Sequence, residues 1–471
     1  MTTHPERSEL SEPQRTIAII CVLAAMALAV LDAAMINVAL PSVAQSMHVT
    51  PAMSVRIVTA YQVALVMALL PCAALGERLG YRRIFTAGIA LFIVASVCCA
   101  TSPTLSWLVA ARCAQGLGAA AIMALGVALL RFVVSDRQLG SAIGWNALTV
   151  ALCAAAGPTI GAIILSGTSW HWLFALNLPI GGMALLAARA LPVVPGTAQR
   201  IDVTSIALNG ATFAALVVGA ELLPTSPLLA GVLFIVAATA MIVLVRRELP
   251  KPDLLIPLDL LQDKAFRTAV LASVCCFAGQ SAGLVALPFY LQHELGQTPM
   301  TTGLYMTPWP LAVAIAAPVT SRLANNISAT WLCVSGGTCL AIGLATAAIL
   351  PLHGDPRPLA AIMLLCGLGF GLFQVPNNRA MFLAAPRERS AAAGGMQGTA
   401  RLTGQTAGAV IMTLLLTLTP MDMAPCFGLA IGAMLALAAG IISLHRAIPA
   451  IASSSLHFSD HNDEGAFQCL D

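Results

Sequence analysis

The chain has 471 residues and a formal net charge of +3; 59% of its residues are hydrophobic and only 9% are charged. Soluble domains carry roughly 25% charged residues, so this composition excludes a water-soluble globular protein and requires a surface that mostly faces lipid. The charge is too small and too dispersed for a nucleic-acid-binding protein.

A helix that crosses the hydrocarbon core needs about 20 predominantly apolar residues. Runs of that kind lie near 16–40, 54–75, 84–102, 106–128, 140–166, 171–191, 203–221 and 226–245, and six more near 267–291, 300–322, 329–350, 358–382, 392–418 and 424–445. They predict an all-α integral membrane fold of about fourteen transmembrane helices. The first run is as long as a full span and contains Asp32. It therefore reads as a retained helix, not a cleavable signal.

Cytoplasmic loops hold the excess of lysine and arginine. With the N-terminus inside, 19 of the 23 Lys and Arg residues fall on the cytoplasmic side. Arg56 and Arg357 fall outside, while Arg112 and Arg401 fall within spans. A frame error of one helix would mix the two sides, so both ends are expected in the cytoplasm. The longest interior connection, about 246–266, is rich in charge and suits a cytoplasmic linker between two halves. The end of the chain is polar, acidic and aperiodic, and is expected to be disordered.

Val38-Ala39-Leu40-Pro41 recurs as Val285-Ala286-Leu287-Pro288 at the end of the ninth run, and Thr50-Pro51 is echoed by Thr298-Pro299. Each copy precedes a span ending in arginine, Arg78 or Arg322. Agreement of word, span order and side points to an internal duplication, with a substrate site between the copies near the midplane. The thirteen cysteines are scattered through apolar runs without a CxxC pair, so they indicate packing and not a metal or redox site.

A charge at the bilayer centre costs at least ~2.5–3.5 kcal/mol, which makes the interior polar residues the candidate site. Asp32 is the carboxylate deepest within a span. It can change protonation as a cavity opens and closes, attract a cationic substrate, or form a structural ion pair. Arg112 shares a helix face with Gln115; it holds an anion, tunes a carboxylate or serves packing. Arg401 with Gln405 forms a second polar site, and Asn37, Gln280, Asn377 and Asn378 add neutral groups. The stretch Gly76-Glu77-Arg78-Leu79-Gly80-Tyr81-Arg82-Arg83 is either a positive-inside anchor or a salt-bridged latch between moving halves. Gly157-Pro158 with Gly161 makes a kinked helix face suited to sliding contacts or to passive packing.

These stretches resemble the major facilitator superfamily, in particular its fourteen-span drug:proton antiporter branch. Leu31-Asp32 with Asn37-Val38-Ala39-Leu40-Pro41 is similar to the first-helix signature of that branch, and residues 73–83 to the superfamily's loop motif. Leu108 to Ala120 matches its arginine motif nearly position for position, Gly157-Pro158-x-x-Gly161 its antiporter motif, and Ser169 to Gly181 the segment that follows. The sequence departs from the pattern at Ala73, Glu77, Cys153, Ala162 and His171.

The resemblance implies a major facilitator fold of two six-helix bundles that rock around a central cavity, with two extra central helices. On that basis 1–15 is a cytoplasmic segment and 16–191 the first bundle. Residues 192–266 then hold the extra pair and linker, 267–446 the second bundle and 447–471 the cytoplasmic tail. It implies proton coupling at Arg112 and proton or substrate handling at Asp32; with the interior polar residues, the substrate cavity is expected to include Asp32, Asn37, Gln115, Gln280, Asn377, Arg401 and Gln405. It further implies a conformational latch at Gly76, Glu77, Arg78, Gly80, Arg82 and Arg83. A bacterial inner-membrane location and action as a monomer follow, and a periplasmic adaptor with an outer-membrane channel stays open as a partner.

The favoured function is proton-coupled multidrug efflux of amphipathic or cationic toxic compounds by antiport, which exchanges a small-molecule substrate for protons. The alternative is export of a specific metabolite, anionic if Arg112 and Arg401 face the cavity. A scarcity of aromatics, 5%, speaks against a broad stacking pocket. No GxSxG elbow, phosphate-binding loop or histidine–carboxylate cluster stands out, so neither an enzyme nor a cofactor or metal is expected. No ring-forming filter motif suggests a channel.

Overall fold

The computed structural model describes residues 11–194, 202–248, 260–324, 326–350, 357–385 and 390–445. The expected tail at 447–471 and most of the charged linker lie outside them. Every run named above is helical. In chain order α1 is Glu12–Ser46, α2 Pro51–Leu79, α3 Tyr81–Ala100, α4 Leu105–Val133 and α5 Asp136–Gly167. α6 is His171–Ala190, interrupted at Leu176, and α7 is Val203–Leu222 with α8 Pro227–Glu248. α9 is Lys264–Glu294, closing in a π-helical turn after Pro288. The remaining helices include α11 Ala329–Ile349, α12 Pro358–Ala384, α13 Ser390–Leu418 and α14 Ala424–Leu444.

The tenth run departs from the expected single span. It consists of two helices, Pro299–Met306 and Pro308–Leu323, broken at Thr307; together they are α10. Pro308 lacks the backbone donor that would carry the first helix onward, so the chain restarts with proline at the first helical position. Thirteen of the described helices are long and apolar enough to cross a membrane unbroken, and α10 supplies the fourteenth crossing in two pieces.

The repeated words have structural counterparts. The Thr50 side chain caps α2 by accepting from Met53 N, and Thr298 caps α10 by accepting from Thr301 N. In both, proline follows at the first helical position. Helices α1 to α6 pack on one another around α1 and α4, and α9 to α14 pack around α9, α12 and α14. The two groups meet where α2 lies on α13 and α5 lies on α10. Each contact joins the second helix of one half to the fifth of the other, the pairing that a duplicated half requires.

Burial against lipid does not drive such helices together; close packing and hydrogen bonds do. A Cβ on Gly369 of α12 would stand 2.4 Å from Leu340 N of α11, so only glycine lets these backbones touch. α7 and α8 form a hairpin outside the two halves, with α7 against α2 and α13. Ser205 donates to Glu248 Oε1 at 2.6 Å, and Arg247 pairs with Asp202 at 3.2 Å. Asn209 donates to Met67 O at 3.2 Å, while Glu221 pairs with Arg56 at 3.3 Å, fixing α7 to α2 at two levels.

Candidate functional site

The spacing of Arg112 and Gln115 puts both on one face of α4. Small neighbours bring that face against three other helices. A Cβ on Gly116 would stand 2.4 Å from Tyr61 O of α2, and one on Gly118 would stand 2.8 Å from Gly88 O of α3. Arg112 consequently reaches across to α1, where its Nη1 lies 2.5 Å from Asp32 Oδ2. Its Nε donates to Ile57 O at 3.2 Å, and its guanidinium sits 4.3 Å over the Tyr61 ring.

The second carboxylate oxygen is also satisfied. Gln115 Nε2 donates to Asp32 Oδ1 at 3.0 Å and Asn177 Nδ2 donates to it at 2.7 Å. Gln115 Nε2 also reaches Ser96 Oγ at 2.9 Å, while Gln115 Oε1 accepts from Arg112 Nη1 at 2.6 Å. Five polar side chains from α1, α3, α4 and α6 thus form one network, and Asp32 is only 3% exposed. The geometry is that of an ion pair held inside protein, where lipid could not solvate either charge. One donor, Arg112 Nη2, is buried without a partner.

Beside this network a cavity of about 480 Å³ lies between the two halves. Its first-half wall includes Asn37, Tyr61, Gln62 and Arg112; its second-half wall includes Gln280, Gln374, Asn378, Arg401 and Gln405. Phe277, Trp309 and Phe370 supply aromatic surface. At the end carrying the α1–α2 and α9–α10 connections the halves are closed on each other. Gln292 donates to Val38 O at 3.1 Å, the Thr159 and Thr307 hydroxyls are hydrogen-bonded, and a Cβ on Gly303 would stand 2.6 Å from Pro158 O.

The expected cavity residues separate into two groups. Asn37, Gln280, Arg401 and Gln405 line the cavity as expected from their places in the spans. Asp32, Gln115 and Asn377 do not: the first two are consumed by the network inside the first half, and Asn377 is buried and donates to Ala269 O at 3.1 Å. The carboxylate expected to attract a cation is therefore off the wall. Arg112 belongs to both places, paired with Asp32 and bordering the cavity.

Of the residues expected to latch the halves, Gly76 and Arg82 make contacts inside the first half. Gly80 takes φ +99°, which ends α2 and starts α3 in a single residue. Arg82 donates to Leu191 O at 3.0 Å, and a Cβ on Gly76 would press on Leu125. Gly157 and Gly161 fit α5 against Ala34 and Met35 of α1, while Pro158 meets Gly303 of α10. These three residues are where α5 bears on both halves.

Ser96, Tyr61, Gln62 and Gln374 are not among the sequence candidates, and Asn177 is one only as part of the Ser169–Gly181 segment. Polar or phenolic residues interrupting apolar runs are the signal that would have flagged them.

The Major Facilitator Superfamily matches this chain over residues 22–409 and 269–456. The uncharacterized transporter YebQ of Escherichia coli is 43% identical over 410 residues, covering 86% of this chain and 90% of that protein. Riboflavin transporter RibZ of Clostridioides difficile is 27% identical, covering 82% and 85%. Multidrug resistance protein Stp of Mycobacterium tuberculosis is 29% identical, covering 81% and 72%. In fold, the crystal structure of a POT family transporter with a thioalcohol-conjugated peptide superposes with a TM-score of 0.70 at 15% identity, covering 93% of this chain and 95% of that one.

Proposed function

The chain belongs to the Major Facilitator Superfamily and is a multi-pass membrane transporter, and from that premise we propose that it is a proton-coupled antiporter exporting amphipathic compounds by alternating access. The observation that carries this reading is the buried Asp32–Arg112 pair standing directly beside a cavity between two halves. When ionised, Asp32 holds Arg112, Gln115 and Asn177. Protonation removes the charge that holds Arg112 and frees its guanidinium to act on the cavity wall. A proton at Asp32 and a solute in the cavity are thereby coupled through one arginine.

The orientation in this proposal follows the arginine and lysine distribution, with the closed end outside. The structure then corresponds to an inward-facing state, and Pro158 and Ala162 of α5 against Gly303 of α10 form the contact that must part for the outward one. Arg82 ties the α2–α3 turn to Leu191 O within the first half; a latch by Glu77, Arg78 and Arg82 across the halves would form in the other state. Kinship with the multidrug resistance protein Stp supports the export of toxic compounds. A second reading, export of a specific metabolite, is favoured by Arg401 on the cavity wall and by kinship with a riboflavin transporter.

The test is proton flux in proteoliposomes under an imposed pH gradient, with a pH-sensitive dye inside and amphipathic solutes added in turn. Solute-dependent proton movement in the wild type that disappears in Asp32→Asn supports the proposal. Solute transport with no proton movement sinks it.

A further inference from the structure

We propose that the central cavity is built for an amphipathic anion, with Arg401 as the anchor for a carboxylate or sulfonate group; this deepens the transport reading above and rests on the cavity being the substrate site. Arg401 makes no hydrogen bond or ion pair with any described residue, and its Nε is buried without an acceptor. Arginine does not discard its proton, so the charge persists in the bilayer interior, where an uncompensated cation is costly. Something must supply the missing negative charge. No aspartate or glutamate belongs to the described cavity wall. The nearest network carboxylate, Asp32, is already shared among Arg112, Gln115 and Asn177. An arriving anion is the remaining source.

The rest of the wall gives the solute an orientation. Trp309, on the second-half side with Arg401, also has an indole N–H without an acceptor. Across the cavity the amide oxygens of Asn37 and Gln62 have no donor. The anionic end therefore belongs at Arg401, an apolar body lies along Phe277 and Phe370, and a hydroxyl or N–H at the far end meets the first half. Transport energetics fit the same class. Exporting a monoanion against one entering proton moves two charges down an inside-negative potential, whereas exporting a monocation moves none.

The experiment compares three probes of one shape on the purified full-length protein: naphthalene-1-sulfonate, naphthalene-1-sulfonamide and 1-naphthylmethylammonium. Thermal unfolding followed by intrinsic tryptophan fluorescence reads binding as a concentration-dependent rise in Tm. The sulfonate is expected to stabilise the wild type at least about tenfold more potently than either analogue. Arg401→Gln is expected to abolish that preference and Arg401→Lys to keep part of it, since the ammonium retains charge but not the planar fork. A preference for the ammonium probe, an undiminished sulfonate effect in Arg401→Gln, or no stabilisation by any probe overturns the proposal. If Arg401→Gln does not fold, the order of the three probes on the wild type and on Arg401→Lys decides. Proton flux fails or succeeds separately, because this binding assay contains no gradient.

Discussion

Arg112 Nη1 lies 2.5 Å from Asp32 Oδ2, eighty positions away in sequence, and both side chains are buried, with Arg112 bordering the cavity from the first half. Breaking such a pair leaves a buried charge alone, which costs about 3–5 kcal/mol, whereas removing both charges is often close to neutral. Asp32→Leu and Arg112→Leu should each lower the unfolding temperature strongly, and the double variant should recover much of the loss. A double-mutant cycle on thermal unfolding in detergent checks this. Equal, additive losses would contradict a coupled pair.

Thr159 and Thr307 are hydrogen-bonded across the two halves at the closed end. In a background without the native cysteines, the pair Thr159→Cys and Thr307→Cys should form a disulfide on mild oxidation. Transport in proteoliposomes should stop in the oxidised protein and return on reduction. Transport that survives full oxidation would mean that this end does not open during the cycle.

Gly303 meets backbone on the same surface, its added Cβ standing 2.6 Å from Pro158 O. Since backbone cannot swing aside as a side chain can, Gly303→Val should push α10 from α5 and weaken the closed end. Spin-label distances across α5 and α10 should lengthen by several ångström, and the cysteine pair above should cross-link more slowly.

Gly80 has φ +99° and an added Cβ would stand 3.1 Å from Val194 O, whereas Gly296 has φ +59° with open space around it. Gly80→Ala should therefore cost more than Gly296→Ala, for which roughly 1–2 kcal/mol is the scale of a left-handed residue. Gly296→Asn should be tolerated best, because asparagine visits that region readily. Unfolding temperatures of the three variants give the order.

On the hairpin, the Arg56–Glu221 pair is partly exposed, and such pairs contribute about 0–1 kcal/mol. Ser205 instead donates to Glu248, which is fully buried. Ser205→Ala should lower stability by about 1–3 kcal/mol through the donor that Glu248 loses, and Glu221→Gln by less. The reverse order in thermal unfolding would show that the α2–α7 ion pair contributes more than the buried α7–α8 hydrogen bond.

Part of the site was legible before the fold. Arg112 and Gln115 stand one turn apart with small residues behind them, and the sequence places both on one buried face. Thr50-Pro51 and Thr298-Pro299 are local signals, and both became capped helix starts. The break at Thr307 was foreshadowed by Pro308 and Pro310 but hidden by the unbroken hydropathy of the run. Ser96 is a single polar residue in an apolar stretch, with nothing local to say what it faces.

The number of crossings is a property of run length, and the linear chain determines it by itself, because each helix satisfies its own backbone hydrogen bonds in lipid. Which face of each helix looks inward was decided only by tertiary packing. Helices such as α1 are apolar around nearly their whole circumference, so periodicity marks no preferred side. The glycine contacts between helices set the rotation instead. They turned Asp32 into the first half and left Arg401 at the cavity without a partner.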